Sequence, residues 1–338
     1  PGGVCSGITV GAPMTAGVTL VTGATGFLGG ALSRRLLSQG HDVIALGRSR
    51  DKLAKLAAEG ATTVEIDLSS PAPTPPVACD AAIHCAALSS LWGRDLDFLR
   101  ANIFGTQNAL QLARRGCAKR FVHISTPSVY FRFQDQTGVR EDMPLPAPVN
   151  AYARTKAAAE QLALASTDLD PIVIRPRGIY GRGDRTLLPR LLQVARKRAL
   201  PLINGGRAAT DLTHIDDVVD AVCAAVTTTA TITQRIFNIS GGVALNVREV
   251  AEQAGRRTGV AIRWQKAPVS IVLAYARARE AICRIHPAYP EPPVTAYSAA
   301  LFAFTQTLDV SAARAQLLWS PRVSFADGLE RTFAGMAA

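Results

Sequence analysis

A glycine-rich turn directly follows a short apolar run near the start of this chain. Residues 18–22 are typical of a buried parallel strand, and glycines stand at positions 23, 26 and 29. The next segment, residues 27–39, has the apolar spacing of a helix. Glycine lets the backbone turn sharply and approach a pyrophosphate, and a helix N-terminus offers free N–H groups to it. The pattern therefore predicts a strand–turn–helix unit that binds a dinucleotide.

Strand and helix signals alternate along the following residues as a doubly wound parallel sheet requires. The predicted strands are residues 18–22, 42–46, 63–66, 81–84, 121–124, 172–175 and 235–239. The predicted helices are residues 27–39, 95–115, 151–165, 186–198, 216–228 and 246–257. We expect an α/β protein with a Rossmann-type doubly wound parallel sheet and a smaller, mostly helical C-terminal substrate lobe.

The same pattern predicts how the chain divides. Residues 18–176 plus about 211–240 are expected to form the dinucleotide-binding domain, and about 177–210 plus 241–338 the substrate-binding lobe. Residues 1–17 are interpreted as a flexible or non-native extension. Residues 265–308 allow two interpretations: a pair of amphipathic helices packed on the small lobe, or a mobile hydrophobic cover for an apolar substrate.

Composition excludes several classes of protein. The chain has 338 residues, 48% of them hydrophobic, and no apolar run long enough to predict a transmembrane helix. Residues 1–17 lack the features of a signal peptide, and six scattered cysteines indicate reduced thiols and no metal site. We therefore expect a cytoplasmic protein.

The net charge of +11 comes from basic residues that are interspersed with acidic ones. This distribution argues against a nucleic-acid partner and is sufficient to attract an anionic cofactor or an acidic substrate.

Tyr152 and Lys156 stand four residues apart on a predicted helix and so share one face. A free phenol titrates near pH 10, which is too high for efficient base chemistry at neutral pH. A lysine cation nearby favours the phenolate. The pair therefore predicts a proton donor and acceptor for a carbonyl or alcohol oxygen.

With these residues, the chain resembles the extended short-chain dehydrogenase/reductase family from about Val18 to its C-terminus. Further segments fit the family in order, namely residues 67–68, 84–87, 102–106, 125–130 and 237–239. The resemblance implies Thr126, Tyr152 and Lys156 as catalytic residues, with Ser125 in reserve. The implied cofactor-binding residues are Gly23, Thr25, Gly26, Phe27, Leu28, Gly29, Arg48, Asp67, Leu68, Ala86, Ala87, Asn102, Tyr152, Lys156, Pro176 and Ile179.

Arg48 carries the prediction of cofactor type. NAD enzymes of this fold commonly have an aspartate at the end of the second strand, where it binds the adenosine ribose. Here that position is Gly47, and Arg48 follows it. Arginine forms charge-assisted hydrogen bonds with a 2′-phosphate. We expect NADP, with NAD less favoured.

Two departures from related enzymes narrow the reaction. Pro127 and Ser128 replace the Asp-Glu pair of sugar-nucleotide 4,6-dehydratases, and Thr210 stands where epimerases often have a diphosphate-binding arginine. Residues 174–184 instead resemble the 3β-hydroxysteroid dehydrogenase branch, including sterol-4α-carboxylate 3-dehydrogenases and the β-keto acid reductase of bacterial olefin synthesis.

The resemblance implies an NADP-dependent oxidoreductase that interconverts a ketone and a secondary alcohol on a hydrophobic substrate, either a β-keto/β-hydroxy acid or a steroid-like molecule. A nucleotide-sugar epimerase and a non-catalytic NADP-sensing regulator are the alternatives. Many relatives dimerise through the helices that bear Asn102 and Tyr152, so a homodimer is expected. The predicted substrate contacts are Leu88, Trp92, Tyr130, Arg177 and Tyr275.

Overall fold

Apolar parallel strands form the central layer of the protein in this computed structural model, which describes residues 17–70, 78–228 and 230–334. The strands in chain order are β1 Val18–Thr22, β2 Asp42–Gly47, β3 Thr62–Glu65, β4 Ala81–His84, β5 Arg120–Ile124, β6 Gln136–Val139, β7 Pro171–Pro176, β8 Ile179–Tyr180, β9 Leu200–Ile203, β10 Ala209–Thr210, β11 Thr213–His214, β12 Ile236–Ile239, β13 Leu245–Asn246, β14 Trp264–Ala267 and β15 Gln306–Leu308. Seven of them make one parallel sheet in the order β12-β7-β5-β4-β1-β2-β3.

The described residues form twelve α-helices. They are α1 Phe27–Ser38, α2 Arg50–Ala58, α3 Asp95–Phe98, α4 Gly105–Arg115, α5 Ala151–Ala165, α6 Leu188–Lys197, α7 Ile215–Thr227, α8 Val247–Arg257, α9 Val269–Ile285, α10 Ala296–Ala303, α11 Ser311–Gln316 and α12 Phe325–Phe333. Some cover the two faces of this sheet, and α6, α8, α9, α10 and α12 contribute to separate cores in the smaller lobe. One core lies between the sheet and α1, α2, α7 and α11, and a second lies between the sheet and α4 and α5. Strands that are buried on both faces have near-continuous apolar sequences, and this is why their positions could be predicted from the sequence.

The Rossmann-type sheet predicted from the sequence is confirmed, and the predicted strands match it within a residue or two at each end. The segment predicted as one helix, residues 95–115, is interrupted by a π-helical turn, Leu99–Phe104. Such a turn frequently marks a functional position in a helix, and this one contains Asn102.

The substrate lobe contains more strand than its helical pattern predicted. A second sheet has the order β13-β10-β15-β6, so β6, from the range assigned to the dinucleotide domain, joins strands of the C-terminal part. These strands are two to four residues long, too short to leave a period-two signal. Apart from Gly17, the predicted extension at residues 1–17 lies outside the described residues, and so do residues 71–77 of the proline-rich stretch 69–77, which the sequence predicts to be a loop.

A buried ion pair joins α5 to the carboxyl end of the sheet. Glu160 on α5 accepts two hydrogen bonds from Arg175 at the end of β7, and both side chains are almost completely buried. Ser125 donates to the same carboxylate, while Arg175 also donates to Tyr130 and lies over its ring. The Tyr130 hydroxyl donates in turn to Asn238 on β12 at 3.0 Å.

We expect Glu160→Gln to lower the free energy of unfolding by about 3–5 kcal/mol, because it leaves the Arg175 charge buried without a counterion. Urea denaturation measures the loss. Asp168→Asn is the matched control, since Asp168 pairs with Arg114 at 2.7 Å on the surface, where a pair contributes about 0–1 kcal/mol. Equal losses in the two variants would contradict this role for the buried pair.

Candidate active site

The turn between β1 and α1 depends on the absence of side chains at two glycines. Gly23 has φ +66°, and a Cβ there would lie 2.7 Å from the backbone nitrogen of Ala86, which follows β4. A Cβ at Gly29 would overlap the carbonyl oxygen of Gly23. Gly26 donates its N–H to that oxygen at 2.8 Å and precedes α1 without a side-chain cap. The turn therefore has the backbone cradle and the uncapped helix N-terminus that a pyrophosphate requires.

The other predicted residues of this turn take different places. Phe27 is the first residue of α1 and is half-buried, whereas the side chain of Leu28 is buried in the core. The carbonyl oxygen of Thr25 accepts a hydrogen bond from Lys52 at 2.9 Å. Leu28 can therefore serve a cofactor through its backbone N–H alone.

Two charged residues lie near this turn, at the carboxyl ends of β2 and β3, and mark the outer end of the predicted dinucleotide groove. Arg48 follows β2, its side chain is largely exposed, and its guanidinium lies 3.9 Å from the carboxylate of Asp67, which follows β3. Burial raises the pKa of Asp67, but hydrogen bonds from Ser69 and the charge of Arg48 outweigh it and leave the pKa below its usual value. Arg50, by contrast, is paired with Glu65 at 3.0 Å. Arg48 is thus a cation with room for a second anionic partner.

Small residues follow β4, where the groove continues inward. Ala86 donates its N–H to the Thr22 hydroxyl at 3.3 Å, and Ala87 is exposed. Leu68, which follows β3, is buried in the second core. The predicted contacts Pro176 and Ile179 lie at the end of β7 and in β8, with Pro176 buried and Ile179 half-buried.

Asn102 joins three elements from its π-helical turn. Its amide accepts from the N–H of Leu88 at 2.7 Å and donates to the Leu88 carbonyl at 3.3 Å and to the Thr155 hydroxyl at 3.0 Å. These bonds fix the loop after β4 against α5, the helix that carries Tyr152 and Lys156. The side chain is completely enclosed, so Asn102 orders the site rather than contacting a substrate.

Thr126 and Tyr152 meet at the carboxyl edge of the sheet. Asn150 caps α5 by accepting from the N–H of Ala153 at 2.8 Å, which places Tyr152 in the first helical turn. Burial raises the pKa of the Tyr152 phenol to about 12, although its hydrogen bond with Thr126 lowers it. The phenol is therefore protonated at neutral pH and available as a proton donor.

Thr126 also belongs to a chain of hydrogen-bonded hydroxyl groups. It accepts from the N–H of Ser128 at 3.2 Å and donates to the Ser128 hydroxyl at 3.0 Å, which lies 2.7 Å from the hydroxyl of Tyr297 on α10. Sequence reasoning missed Ser128 and Tyr297 as members of the site. Ser128 stands out only as a departure from the dehydratase pattern, and no spacing in the sequence connects Tyr297 to residues 126–128.

The ammonium of Lys156 contacts strand β5 of the central sheet. Its Nζ donates to the Ile124 carbonyl at 2.6 Å and lies 3.2 Å from Nε2 of His123. Burial lowers the pKa of Lys156 to about 8, opposed by Glu160 and Cys85. The hydrogen bond from Thr126 is thus the contact that lowers the phenol pKa here, and stabilisation of a phenolate by Lys156 stays a prediction.

Ser125 and Tyr130 lie in the buried network around Glu160 and Arg175 and not among the reactive hydroxyls. Ser125 is therefore a poor substitute for Thr126, because its hydroxyl is committed to a carboxylate. Tyr130 is completely buried, and the geometry does not support a substrate contact for it.

A cavity of about 660 Å³ opens beside Thr126 and extends beneath α9 and α10. Its lining is largely apolar, with side chains from α6, α9 and α10 that include Leu188, Leu191, Val194, Val272, Leu301 and Phe302. Within the described residues, its charged lining side chains are all basic: Arg177, Arg190, Arg198 and Lys266. The cavity thus joins a proton-donor site to a large apolar space with cations around it.

The other predicted substrate contacts differ in their relation to this cavity. Tyr275 lines it and is half exposed, and Arg177 also lines it. The Arg177 guanidinium, however, bonds to Thr210 at 3.1 Å and to Gln306 at 2.5 Å. It also lies 3.7 Å from Asp211, so these partners hold it at the cavity wall, and a substrate contact by Arg177 stays a prediction.

Leu88 and Trp92 lie on the loop after β4. Leu88 is half-buried and held through its backbone by Asn102. The Trp92 ring stacks on Tyr289 of the α9–α10 loop with a centroid distance of 5.0 Å. Trp92 therefore joins the loop after β4 to the segment that roofs the cavity.

Known proteins resemble this chain over most of its length. A family profile described as "NAD dependent epimerase/dehydratase family" matches residues 19–240. The chain is 36% identical to the 2-alkyl-3-oxoalkanoate reductase of Stenotrophomonas maltophilia, over 94% of this chain and 99% of that protein. It is 30% identical to 4-hydroxy-2-methyl-3-oxo-4-farnesyl-3,4-dihydroquinoline-1-oxide ketoreductase of Stigmatella aurantiaca, over 92% and 94% of the two chains.

Solved structures share the fold. The UDP-glucuronic acid 4-epimerase of Bacillus cereus in complex with NAD superposes with a TM-score of 0.71, at 24% identity, over 94% of this chain and 97% of that one. In the part of the chain that the structure describes, no helix has both the length and the apolar character needed to cross a bilayer. The chain belongs to the NAD dependent epimerase/dehydratase family and is an NAD(P)-dependent oxidoreductase of the extended short-chain dehydrogenase/reductase type.

Proposed function

We propose that this protein is an NADPH-dependent reductase that converts a ketone on a large hydrophobic substrate into a secondary alcohol. The observation that carries the proposal is the apolar cavity lined by Thr126, whose side chain is hydrogen-bonded to the Tyr152 phenol. The names of the relatives from Stenotrophomonas and Stigmatella, both reductases of ketones with long apolar groups, support it.

Each polar residue has one task in this proposal. The bound dinucleotide supplies the hydride for the carbonyl carbon. On substrate binding the Thr126 hydroxyl turns its proton from Ser128 to the carbonyl oxygen and holds it, and Tyr152 gives its proton to that oxygen as negative charge develops. Ser128 and Tyr297 fix the orientation of the Thr126 hydroxyl. Lys156 binds the nicotinamide ribose when the cofactor is present and supports loss of the phenol proton.

The cofactor preference follows from the groove around Arg48. Gly47 brings no carboxylate to the end of β2, and the exposed guanidinium of Arg48 is positioned to meet a 2′-phosphate. NADP is therefore the proposed cofactor.

A nucleotide-sugar epimerase is the second candidate, and one observation favours it. Arg190, Arg198 and Lys266 at the cavity could meet a diphosphate. The apolar side chains between these cations and Thr126 favour the reductase. A non-catalytic sensor is disfavoured, because Thr126, Tyr152 and Lys156 are all present and enclosed. A cytoplasmic location and a homodimer complete the proposal, with Leu96 and Phe104 exposed beside the helices expected to pair.

We expect Tyr152→Phe to lower kcat by about two to four orders of magnitude, the scale of lost general acid catalysis. The dissociation constant of NADPH, measured by fluorescence, should stay nearly unchanged. Tyr289→Phe removes a hydroxyl from a residue that does not line the cavity and is the matched control. Near-normal turnover in Tyr152→Phe would refute Tyr152 as the proton donor.

The pH dependence should differ between the two directions of reaction. The phenol has a pKa of about 12 and stays protonated, and Lys156, with a pKa of about 8, stays charged below that pH. Ketone reduction should therefore stay level from about pH 6 to about pH 8. Alcohol oxidation, which needs the phenolate, should rise over the same range. Initial rates in both directions measure this, and a reduction rate that falls across this range would contradict a donor with so high a pKa.

Arg48→Ala should weaken NADPH binding by about 1.5–3 kcal/mol, the contribution of a hydrogen bond to a charged group. NADH binding should change little, because NADH has no 2′-phosphate. Fluorescence titration of both cofactors measures the difference. Arg50→Ala serves as the control, since Arg50 is already paired with Glu65. Equal losses for both cofactors, or a preference of the wild type for NADH, would overturn the assignment of NADP.

The apolar cavity predicts a dependence on substrate size. In a series of ketones with growing alkyl groups, kcat/KM should rise with alkyl length, because each buried methylene adds up to ~0.8 kcal/mol of transition-state binding. Initial rates for each ketone, with and without a β-carboxylate, measure the trend. No dependence on alkyl length, together with turnover of a UDP-sugar, would replace the reductase with the epimerase.

A further inference from the structure

Helix α9 presents an apolar face to the outside of the molecule. Ile271, Tyr275, Ile282 and Ile285 lie at intervals of four, seven and three residues, and each is at least half exposed. Exposure reaches 63% at Ile271 and 84% at Ile285. We call these four residues the outer stripe. They cover one side of a helix of 17 residues, about 25 Å long at 1.5 Å per residue.

Folding does not require the outer stripe. The opposite side of α9 already packs inward through Leu273, Ala276 and Cys283, which are buried, two of them against α10. A helix with one buried side ordinarily has polar residues on the other. A continuous exposed apolar surface on a folded protein indicates an interaction site.

Charge beside the outer stripe restricts what covers it. Arg277 and Arg284 lie on the same helix, with guanidinium groups over Phe133 at 5.4 Å and over Trp92 at 5.6 Å. Arg284 also lies 4.0 Å from Glu280, but its side chain is 61% exposed and can meet an anion at the surface. The acidic residue of this helix, Glu280, is directed inward, where it accepts from the N–H of Ala296 at 2.7 Å. Helices that lie in a membrane interface combine an apolar face with flanking basic residues in this way, and the chain has a net charge of +11.

The outer stripe is continuous with the cavity. Tyr275 belongs to the stripe and also lines the cavity, and its neighbour Val272 lines the cavity as well. A surface that covered the stripe would therefore lie directly at the edge of the proposed substrate site.

We propose that the outer stripe of α9 docks on the surface of a bilayer that contains anionic lipids. The stripe enters the acyl boundary, and the flanking arginines meet the lipid phosphates. The hydrophobic ketone then enters the cavity past Tyr275 directly from the lipid. This entry route rests on the function proposed above, whereas the docking itself does not.

Flotation of the purified full-length protein with vesicles tests the docking. The wild type should float with vesicles of phosphatidylcholine containing about one third phosphatidylglycerol, and high salt should weaken the binding. The double variant Ile282→Asp/Ile285→Asp should bind these vesicles at least about tenfold more weakly. Leu318→Asp is the control, because Leu318 is 86% exposed but lies outside α9 and should bind as the wild type does.

Three results would overturn the docking: no flotation of the wild type, equal binding to pure phosphatidylcholine, or equal binding by the double variant. Light scattering adds a fourth, since a dimer that the double variant dissociates would assign the stripe to a second copy of this chain. Ile271→Asp gives an independent test on the other end of the stripe. Thermal melting confirms that each variant is folded.

Turnover separates the entry route from the docking. The double variant should reduce a short, water-soluble ketone at the wild-type rate but lose kcat/KM about tenfold for a long-chain ketone supplied in vesicles. Equal rates on the vesicle-borne ketone would overturn the entry route. If no ketone is reduced at all, the proposed function fails, while flotation still decides the docking.

Discussion

The carboxylate of Glu160 holds together the elements from which the site is built. It lies on α5 one helical turn beyond Lys156 and two turns beyond Tyr152, on the same face of the helix. From there it binds Arg175 at the end of β7 and Ser125 at the end of β5. A buried charge pair tolerates little displacement, because separating the charges costs far more inside the protein than at its surface. The position of the Tyr152 phenol relative to Thr126 is therefore set by contacts two helical turns away from the phenol.

Burial determines the protonation states in this site. The phenol of Tyr152 and the ammonium of Lys156 are shifted in opposite directions, to pKa values of about 12 and about 8, because burial disfavours the charged form of each. A neutral phenol suits a site that donates a proton to a carbonyl oxygen, and a lysine that stays charged below about pH 8 can support the loss of that proton. A bound cofactor that carries positive charge on its nicotinamide would change this balance. The oxidised and reduced cofactors should then favour opposite directions of proton transfer.

The sequence predicted those parts of the molecule that depend on local periodicity and on backbone constraints. Gly23 and Gly29 are required by close backbone contacts, and the apolar strands are required by burial on both faces, so both leave a pattern in the chain. Tyr130 and Arg177 were predicted to contact substrate because of their positions along the chain. The structure shows partners more than 30 residues distant for each, namely Asn238 for Tyr130 and Thr210 and Gln306 for Arg177, while Arg177 still lines the cavity and its substrate contact stays a prediction. Pairings of this kind arise only when the chain has folded, and a single sequence does not encode them in any local spacing.

The segment at residues 265–308 shows how the two earlier interpretations combine. It does form two packed helices, as the more conservative interpretation requires, and Leu273, Ala276 and Tyr297 belong to their core. The same helices also roof the cavity, and the loop between them is held at Trp92 by Tyr289 and at Arg190 by Glu291. These contacts fix the roof at two edges, and a large substrate reaches the apolar space either there or, as proposed above, past Tyr275 of α9. The outer stripe of α9 lies at that second entrance, and contact of the stripe with a lipid surface would bring a poorly soluble ketone to the cavity without passage through water.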